Sequence, residues 1–519
     1  MREELMKTEV LAMYDVRGIQ SYIFRTNRIK EIMGASNIVE NIMTRGLEEI
    51  RKAKSWNPNK FIVEWNSPGT QDNIEFLSDS TVQMQVMYIG GGNAYVLFRS
   101  RELCSEVNRA LAKYVFENTY SLQLAVAVVE MTNDYALDYN QVKLEMRRIK
   151  SEMPDGHPVG AFPFAKVDPM TGYPIVENDR NEGFLSQESK LKVDAYKKNT
   201  NEAEEKILDN LVTAKKDDSI LAVVHIDGNN MGKKIGEIMR GISPADKGKY
   251  SAVTKVVRGI SRSIDTSFKE SFQAMTDFID TSLAPKVKQK KPSKLYRKII
   301  CAGDDITFIC NAKVALEAVK FFLEDVNKKH MSYTDMDGNV ESIPEPFSAC
   351  AGIAFFQSHF PFSDAYQVAE ACCSSAKKIA KDNVRVGDNG EIGNYVDFQI
   401  CRNISAADLK AYRKKQYTIP ETDETIISRP YYVDDTANKT LNEKNQDRRI
   451  NELIDCIRMF TVNIPRTQAK QLREESSKGE ASRKAYITFL KSRKQTLPAP
   501  STEGFWYDAL ELMDFYVAP

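Results

Sequence analysis

The sequence has few of the features that identify a class of protein at once. No apolar run approaches the roughly 18 residues that a membrane-spanning helix needs, and the N-terminal residues lack the apolar core of a signal peptide. Lysine plus arginine and aspartate plus glutamate both number 72, so no excess of positive charge indicates a dedicated nucleic-acid binder. We therefore expect a cytoplasmic protein without membrane contact.

Metal-binding patterns built from cysteine and histidine are also absent. None of the 8 cysteines forms a CxxC pair, and only Cys372 and Cys373 are close, which argues against a zinc ribbon. The 4 histidines lie apart in the sequence and form no HExxH motif, which argues against a histidine-built metal hydrolase. Scattered free thiols are typical of a reducing compartment.

At 519 residues the chain is too long for a single hydrophobic core. Predicted strands and helices alternate up to residue 153, and a cluster of proline and glycine then begins. We predict a first αβ domain at 1–153, a linker region at 154–218, a second αβ domain at 219–402 and a mainly helical C-terminal region at 403–519. The charged end of the linker region is expected to form an exposed helix.

The same order of predicted elements occurs in both αβ domains. Asp15 and Asp227 each end a first apolar strand, and a predicted hairpin follows later in each copy. The hairpin motif GGGN begins at Gly90, and the motif AGDD begins at Ala302. The spacing is 75 positions from Asp15 to Gly90 and again from Asp227 to Ala302. This internal repeat predicts two copies of one domain.

The doublet Asp304–Asp305 lies between two apolar, strand-like runs. Two like charges ~4 Å apart repel by about 4 kcal/mol at an effective dielectric constant near 20, so we expect a compensating cation. If the first strand and the hairpin are neighbours, about 4.8 Å apart, Asp227 meets Asp304 at the rim of the sheet. Carboxylates of this kind bind Mg²⁺ together with substrate phosphates. The alternatives are a polar turn for the doublet and a helix N-cap for Asp227.

Phosphate contacts are predicted around the same motif. Gly303 allows the backbone to approach a ligand closely. The residues after Asp227 open a predicted helix, whose backbone N–H groups could hold phosphates; they are Gly228, Asn229 and Asn230. Lys377 lies on a later helix and could pair with a triphosphate, although a solvated helix face is the alternative.

These motifs resemble a known family. The segments IDGNNMG, AGDD, SACAGIAF and AEACCSSAKK are similar to the GGDEF-type nucleotide cyclase and palm-polymerase fold. They resemble more closely the large, palm-bearing subunit of type III CRISPR effector complexes, which synthesises cyclic oligoadenylate. The segments DVRGIQSYIF, KEIMGASNIVE and YIGGGNAYVLF resemble the degenerate first palm of that family. The resemblance covers roughly residues 8–401.

The resemblance implies an α+β fold with two ferredoxin-like palm domains, a linker and a mainly helical C-terminal region. It makes Asp227 and Asp304 metal ligands and catalytic residues, assisted by Asp305, at a site for two Mg²⁺ or Mn²⁺ ions. It makes Lys377 a contact of the triphosphate. The other nucleotide contacts that it implies lie mostly in the first domain: Ser36, Gly91, Gly92, Asn93 and Ser261. For the two serines, helix packing is the alternative.

The sequence departs from the family in several places. AGDD replaces GGDD, and Asn229 stands where relatives often have a second acid. The HD nuclease and the zinc-binding cysteines of the family have no counterpart in this sequence, so we expect a trimmed, stand-alone member.

The expected function is conversion of ATP into cyclic oligo- or dinucleotide second messengers in antiviral defence. One alternative is a scaffold subunit that holds RNA and CRISPR-type partner subunits. Another is a GTP-using cyclase of the GGDEF type. The sequence does not indicate an oligomeric state.

Overall fold

In the computed structural model, the chain is described over 8–53, 60–66, 74–90, 92–154, 164–199, 211, 220–242, 244–287, 294–335, 339–358, 360–402, 409–419, 422–435 and 438–519. The chain divides into two compact units. The first unit comprises Met1–Asn201, Asn230–Thr266 and Met331–Ile343. The second comprises Glu202–Asn229, Ser267–His330 and Pro344–Pro519.

The strands fall mainly into two sheets. They are β1 Val10–Arg17, β2 Phe61–Ile62, β3 Met84–Gly90, β4 Asn93–Phe98, β5 Gln123–Glu130, β6 Ile175–Asp179, β7 Gly183–Ser186, β8 Ile220–Gly228, β9 Tyr296–Ala302, β10 Asp305–Asn311, β11 His330–Thr334, β12 Val340–Pro346, β13 Ala349–Gln357, β14 Asn394–Ile400, β15 Thr418–Ile419, β16 Glu424–Thr425 and β17 Tyr431–Val433.

The α-helices lie between and after these strands. They are α1 Ile19–Phe24, α2 Ile29–Lys52, α3 Glu75–Ser78, α4 Arg101–Thr119, α5 Tyr135–Glu152, α6 Gln187–Asn199, α7 Met231–Gly241, α8 Pro244–Lys247, α9 Tyr250–Phe278, α10 Ala312–Val326, α11 Phe362–Ala380, α12 Leu409–Tyr417, α13 Lys439–Lys444, α14 Ile450–Asn463, α15 Arg466–Ser477, α16 Glu480–Ser492 and α17 Trp506–Leu512.

The first unit contains a five-stranded sheet in the order β2-β3-β4-β1-β5. Strand β1 lies inside this sheet because its apolar residues are buried on both faces, and it pairs antiparallel with β4 and β5. The helix α5 packs against β5 and β1. Residues from α5 and from the start of α9 join the apolar core of this unit, including Val142 and Val253.

The second unit contains a six-stranded sheet in the order β17-β14-β13-β8-β10-β9. Strand β8 is rich in branched apolar residues, is almost entirely buried and pairs antiparallel with β10 and β13. The helix α11 packs against β13, β14 and β8. An apolar cluster beneath α11 includes Cys350, Cys373 and Ala376.

The two sheets share one topology. The four core strands of the first sheet run β5-β1-β4-β3, and those of the second run β13-β8-β10-β9. Both are the order 4-1-3-2 when the strands of each copy are numbered along the chain, which is the ferredoxin-like arrangement. The predicted α+β class with two ferredoxin-like domains is confirmed.

The region between the two sheets is more ordered than a linker composition suggests. The strands β6 and β7 form a hairpin, and α6 packs against α2. The exposed helix expected here is wrong for α6, because Glu188 and Lys192 are fully buried. Lys192 Nζ donates to Glu188 Oε1 at 2.6 Å and to the carbonyl of Tyr22 at 2.6 Å, so the buried charges are paired.

The C-terminal region is mainly helical, as expected. Its strand β17 pairs with β14 and so extends the second sheet. Arg429 is buried here, and its Nη1 donates to Glu511 Oε2 at 3.1 Å. In the parts of the chain that the structure describes, no helix is both long and apolar enough to cross a membrane.

Candidate active site

The predicted acids of the second sheet meet at its rim. In the antiparallel pairing of β8 with β10, Asp227 lies directly opposite Asp305. In the hairpin, Asp305 lies opposite Ala302, so Gly303 and Asp304 form the turn. The backbone N–H of Gly228 donates to the carbonyl of Asp304 at 3.2 Å, which ties the turn to the end of β8.

The turn explains why AGDD can replace GGDD. Gly303 has a φ of 61°, in the left-handed region where glycine is favoured. Ala302 is the last residue of β9 and is not among the described non-glycine residues with positive φ. Only the second position of the motif therefore requires glycine, and alanine fits the first.

Lys377 approaches the acids from the helix above the sheet. Its Nζ forms an ion pair with the carboxylate of Asp227 and donates to the carbonyl of Gly228 at 3.0 Å. The helix α11 lies close to the sheet at Gly352. A Cβ at this position would lie 1.9 Å from the carbonyl oxygen of Ala369 and 2.4 Å from the backbone nitrogen of Cys373. Glycine at 352 thus sets the distance at which Lys377 meets the sheet.

The acids are strongly coupled to their surroundings. Burial, together with the nearby charges of Asp227 and Asp304, raises the pKa of Asp305 to about 7. Burial and the charge of Asp227 also raise the pKa of Asp304 and that of Glu370, which lies on α11. A site that disfavours its own negative charges in this way is one that a cation would stabilise.

Sequence reasoning missed the residues that flank the acid pair. His225 lies two residues before Asp227, opposite Thr307, and its Nδ1 lies 3.2 Å from Thr307 Oγ1 and 3.5 Å from Asp305 Oδ1. Burial lowers the pKa of His225 to about 4, so the ring is neutral at pH 7. The signal was available, because alternate residues of a strand share a face and His225 follows that period.

The residues present fit a divalent cation. Asp305 Oδ1 is buried and accepts no hydrogen bond from any residue that the structure describes. The Lys377 ammonium, which contacts Asp227, shows that a positive charge can be accommodated beside this carboxylate. Hard carboxylate oxygens are the ligands that Mg²⁺ and Mn²⁺ prefer. Within the described residues, no three Asp, Glu, His or Cys side chains already form a metal cluster, so the fit rests on the acid pair and its turn.

The first sheet carries a related but different arrangement. Asp15 on β1 lies opposite Asn93 on β4, the register position that Asp305 takes in the second sheet. The Asn93 amide, with its NH₂ toward Asp15, donates to both carboxylate oxygens at 3.0 and 3.2 Å. Lys150 on α5 forms an ion pair with Asp15. Gly92 adopts a φ of 82°, and the predicted contact Gly91 lies outside the described residues.

The residues after Asp227 are only partly arranged as expected. A helix, α7, does begin directly after Asn230, whose φ is 56°. The N–H groups of Gly228 and Asn229 already donate within the protein, to the carbonyls of Asp304 and Ser348. Asn229 is buried, and its Nδ2 donates to the carbonyl of Gly393 at 3.2 Å. In this state neither N–H group is available to hold a phosphate.

The two predicted serines belong to the first unit, whereas the acid pair belongs to the second. Ser36 is buried within α2. Ser261 lies on α9, with its Oγ 3.9 Å from the place that a Cβ on Gly90 would take. Ser261 is therefore a neighbour of the hairpin of the first sheet.

Comparison with known proteins finds a family model that matches the part of the chain from β8 to α11. Residues 220–385 match the family model described as Cas10/Cmr2, second palm domain. The resemblance drawn from the motifs of this domain is confirmed. No curated protein matches the chain.

Among solved structures, the chain is similar to a Csm1–Csm4 cassette in complex with cA4. The identity is 12% over 99% of this chain and 70% of that chain, with a TM-score of 0.49. It is also similar to Csm1 from T. onnurineus, at 12% identity over 98% of this chain and 69% of that chain, with a TM-score of 0.48.

Proposed function

We propose, given that the second sheet is a Cas10/Cmr2-type palm domain, that this chain is a metal-dependent nucleotidyltransferase. It converts ATP into cyclic oligo- or dinucleotides that act as second messengers in antiviral defence. The observation that carries the proposal is the direct register of Asp227 with Asp305, next to the turn residue Asp304. A polar turn alone would not require a second strand to present an acid at the same position.

The residues of the chain have separate tasks in this reaction. Asp227, Asp304 and Asp305 would hold Mg²⁺ or Mn²⁺. The raised pKa of Asp305, to which the charges of Asp227 and Asp304 contribute, favours a bound cation over bare carboxylates. When bound, the metal would lower the pKa of the acceptor hydroxyl and neutralise the leaving pyrophosphate. Lys377 would exchange its contact with Asp227 for one with the triphosphate of the donor nucleotide.

The choice of ATP rests on the family resemblance, because no feature of the acid pair selects a base. The first sheet has one carboxylate and one amide at the matching positions. This arrangement is better suited to binding an acceptor nucleotide than to binding the catalytic metal. The reaction is therefore assigned to the second sheet.

The test is mass spectrometry of products after incubation with each nucleoside triphosphate and Mg²⁺ or Mn²⁺, with and without added RNA. We expect 3′–5′ linked oligoadenylates from ATP. The matched control is Asp304→Ala with Asp305→Ala, which should give no product. If GTP were the one nucleotide that gave a product, the chain would be a cyclase of the GGDEF type. Absence of product from every nucleotide, with RNA present, would favour the scaffold alternative.

A further inference from the structure

The helix α16 and the residues directly after it carry an unusual run of charge. Residues 481–502 contain five basic residues and no acidic one, although the whole chain is neutral. The basic residues are Arg483, Lys484, Lys491, Arg493 and Lys494. This local excess does not appear in the average composition.

The same helix exposes aromatic surface. Of its described residues, Leu490 is the one that is buried, so most of α16 faces away from the core. Phe489 is 41% exposed, and its ring lies 5.5 Å from that of Tyr486. The guanidinium of Arg493 lies 5.4 Å from the centre of the Phe489 ring. Tyr486, Phe489 and Arg493 are spaced by three and four residues, so they share one face.

Three of the positive charges lie at the end of the helix. Lys494 has a φ of 58°, and the N–H of Gln495 donates to the carbonyl of Leu490 at 3.1 Å, which closes the last turn. Lys491, Arg493 and Lys494 make no ion pair with a described residue, whereas Arg483 and Lys484 contact Glu503 and Glu480. Basic residues at a helix C-terminus are favoured by the dipole alone. The dipole does not account for the exposed Phe489 ring, which lies beside the half-buried Tyr486.

We propose that this basic–aromatic surface, Tyr486, Phe489, Lys491, Arg493 and Lys494, binds a single strand of RNA. Exposed aromatic rings stack on unpaired bases, and arginine and lysine neutralise the phosphates between them. Phe489, with Tyr486 beside it, supplies the stacking platform, and the three basic residues that make no ion pair with a described residue supply the phosphate contacts. The choice of RNA over DNA rests on the proposed function, because that chemistry uses ribonucleotides.

The test is fluorescence anisotropy of the full chain with a labelled oligouridylate of about 12 nucleotides, within the usual range of single-strand sites. Nucleotides and divalent metal are omitted, so a failure here leaves the proposed synthesis untouched. Changing Lys491, Arg493 and Lys494 together to Gln should weaken binding at least about tenfold. It should also reduce the slope of log K against log salt by about 2, as expected for three phosphate contacts.

A matched variant removes three positive charges from another exposed helix. Lys410, Lys414 and Lys415 on α12 are exposed, and changing them to Gln should alter binding by less than about threefold. Phe489→Ala should weaken binding about fivefold or more without changing the salt slope, because stacking releases no counterions. Thermal unfolding verifies that all variants are folded.

Three results would overturn the proposal. Equal losses in the two triple variants would mean that only overall charge matters. An unaltered affinity in Phe489→Ala would remove the stacking platform. Tighter binding of the matching DNA strand, or no binding of RNA by the unchanged protein at low salt, would reject RNA as the occupant.

Discussion

The two sheets have the same strand order but differ at one register position. In the second sheet Asp227 faces Asp305, and in the first Asp15 faces Asn93. Each first-strand aspartate forms an ion pair with a lysine of the helix that follows the fourth strand. Lys150 contacts Asp15, and Lys377 contacts Asp227. The scaffold and the lysine are thus common to both copies, and the second carboxylate is what distinguishes them.

The difference changes the electrostatics of each rim. In the first sheet, the Asn93 amide and Lys150 both donate to Asp15, so its charge is compensated within the protein. In the second sheet, Asp305 brings a further negative charge and a buried oxygen without a donor among the described residues. The carboxylate of the first sheet is therefore compensated by groups of the protein, whereas the carboxylates of the second sheet need a bound cation.

The largest expected effect comes from removing the acid pair. Asp304→Ala with Asp305→Ala, or Asp227→Ala alone, should reduce product by about a thousandfold or more, since metal stabilisation is worth several kcal/mol. Product formation is followed by mass spectrometry and folding by circular dichroism. Turnover at the wild-type rate in the folded double variant would remove the metal site from the second sheet.

The next prediction tests the asymmetry between the sheets directly. Asp227→Asn should abolish most activity, whereas Asp15→Asn should reduce it by less than about tenfold, because Asp15 has no carboxylate partner to form a metal site. Both changes are isosteric, so each variant is the control for the other. Equal losses would mean that the working half has been assigned wrongly.

A smaller effect is expected from Lys377. Lys377→Ala should raise the KM for ATP about tenfold, the size expected for a lost charge-assisted hydrogen bond to the triphosphate. Calorimetry with a non-hydrolysable ATP analogue and Mg²⁺ measures the same loss as weaker binding. Lys381→Ala, one turn further on and exposed, is the control and should leave binding almost unchanged. Equal effects from both lysines would indicate a general charge effect of the helix.

Lys377 and Lys150, the lysines at the two first-strand aspartates, allow a further test of the comparison. Because Lys377 already contacts Asp227, it competes with a cation when no nucleotide is present. Lys377→Met should therefore tighten Mn²⁺ binding measured by electron paramagnetic resonance without nucleotide. Lys150→Met should create no Mn²⁺ site in the first sheet, since Asp15 and Asn93 offer one carboxylate only. A new site in that variant would contradict the distinction drawn between the sheets.

The last prediction concerns pH. The pKa of Asp305 is raised to about 7, so this carboxyl group is mostly protonated at pH 6 and mostly ionised at pH 8. A cation requires the ionised form, and Mn²⁺ affinity should rise by about tenfold across that interval. The raised pKa also means that the metal-free fold loses stability as pH rises from about 4 through 7. Asp305→Asn should remove both dependences, and a pH-independent Mn²⁺ isotherm in the unchanged protein would contradict the assignment.

Much of the fold and of the acid pair could be predicted from sequence. The equal spacing from Asp15 to Gly90 and from Asp227 to Ala302 predicted the repeat, and the register of both sheets agrees with it. Lys150 is not among the predicted residues, although the spacing carried a signal. It lies 20 positions after Glu130, the last residue of β5, and Lys377 lies 20 positions after Gln357, the last residue of β13. The topology shows this correspondence directly, because it places both lysines on the helix after the fourth strand.

Other features were not predicted from the sequence, either because they depend on burial or because a local turn signal was not used. The shifted pKa of Asp305 and its buried oxygen follow from packing, which no linear pattern contains. The hairpin β11–β12 was missed, although an Asp-Gly dipeptide at 337–338 is a turn signal between polar, alternating residues. The sequence predicts an exposed charged face where the structure has the buried pair Glu188–Lys192, because charge in a sequence does not show that each ion has a partner.

Gly352 has a consequence for how changes in this protein would be interpreted. It has no side chain and is not one of the acids of the site, yet its missing methyl group lets α11 lie against β13. A larger residue at 352 would lift the helix and move Lys377 away from Asp227 while leaving every acid in place. In a genetic screen, such a change would be isolated as a loss-of-function mutation, although the mutated residue binds neither metal nor nucleotide.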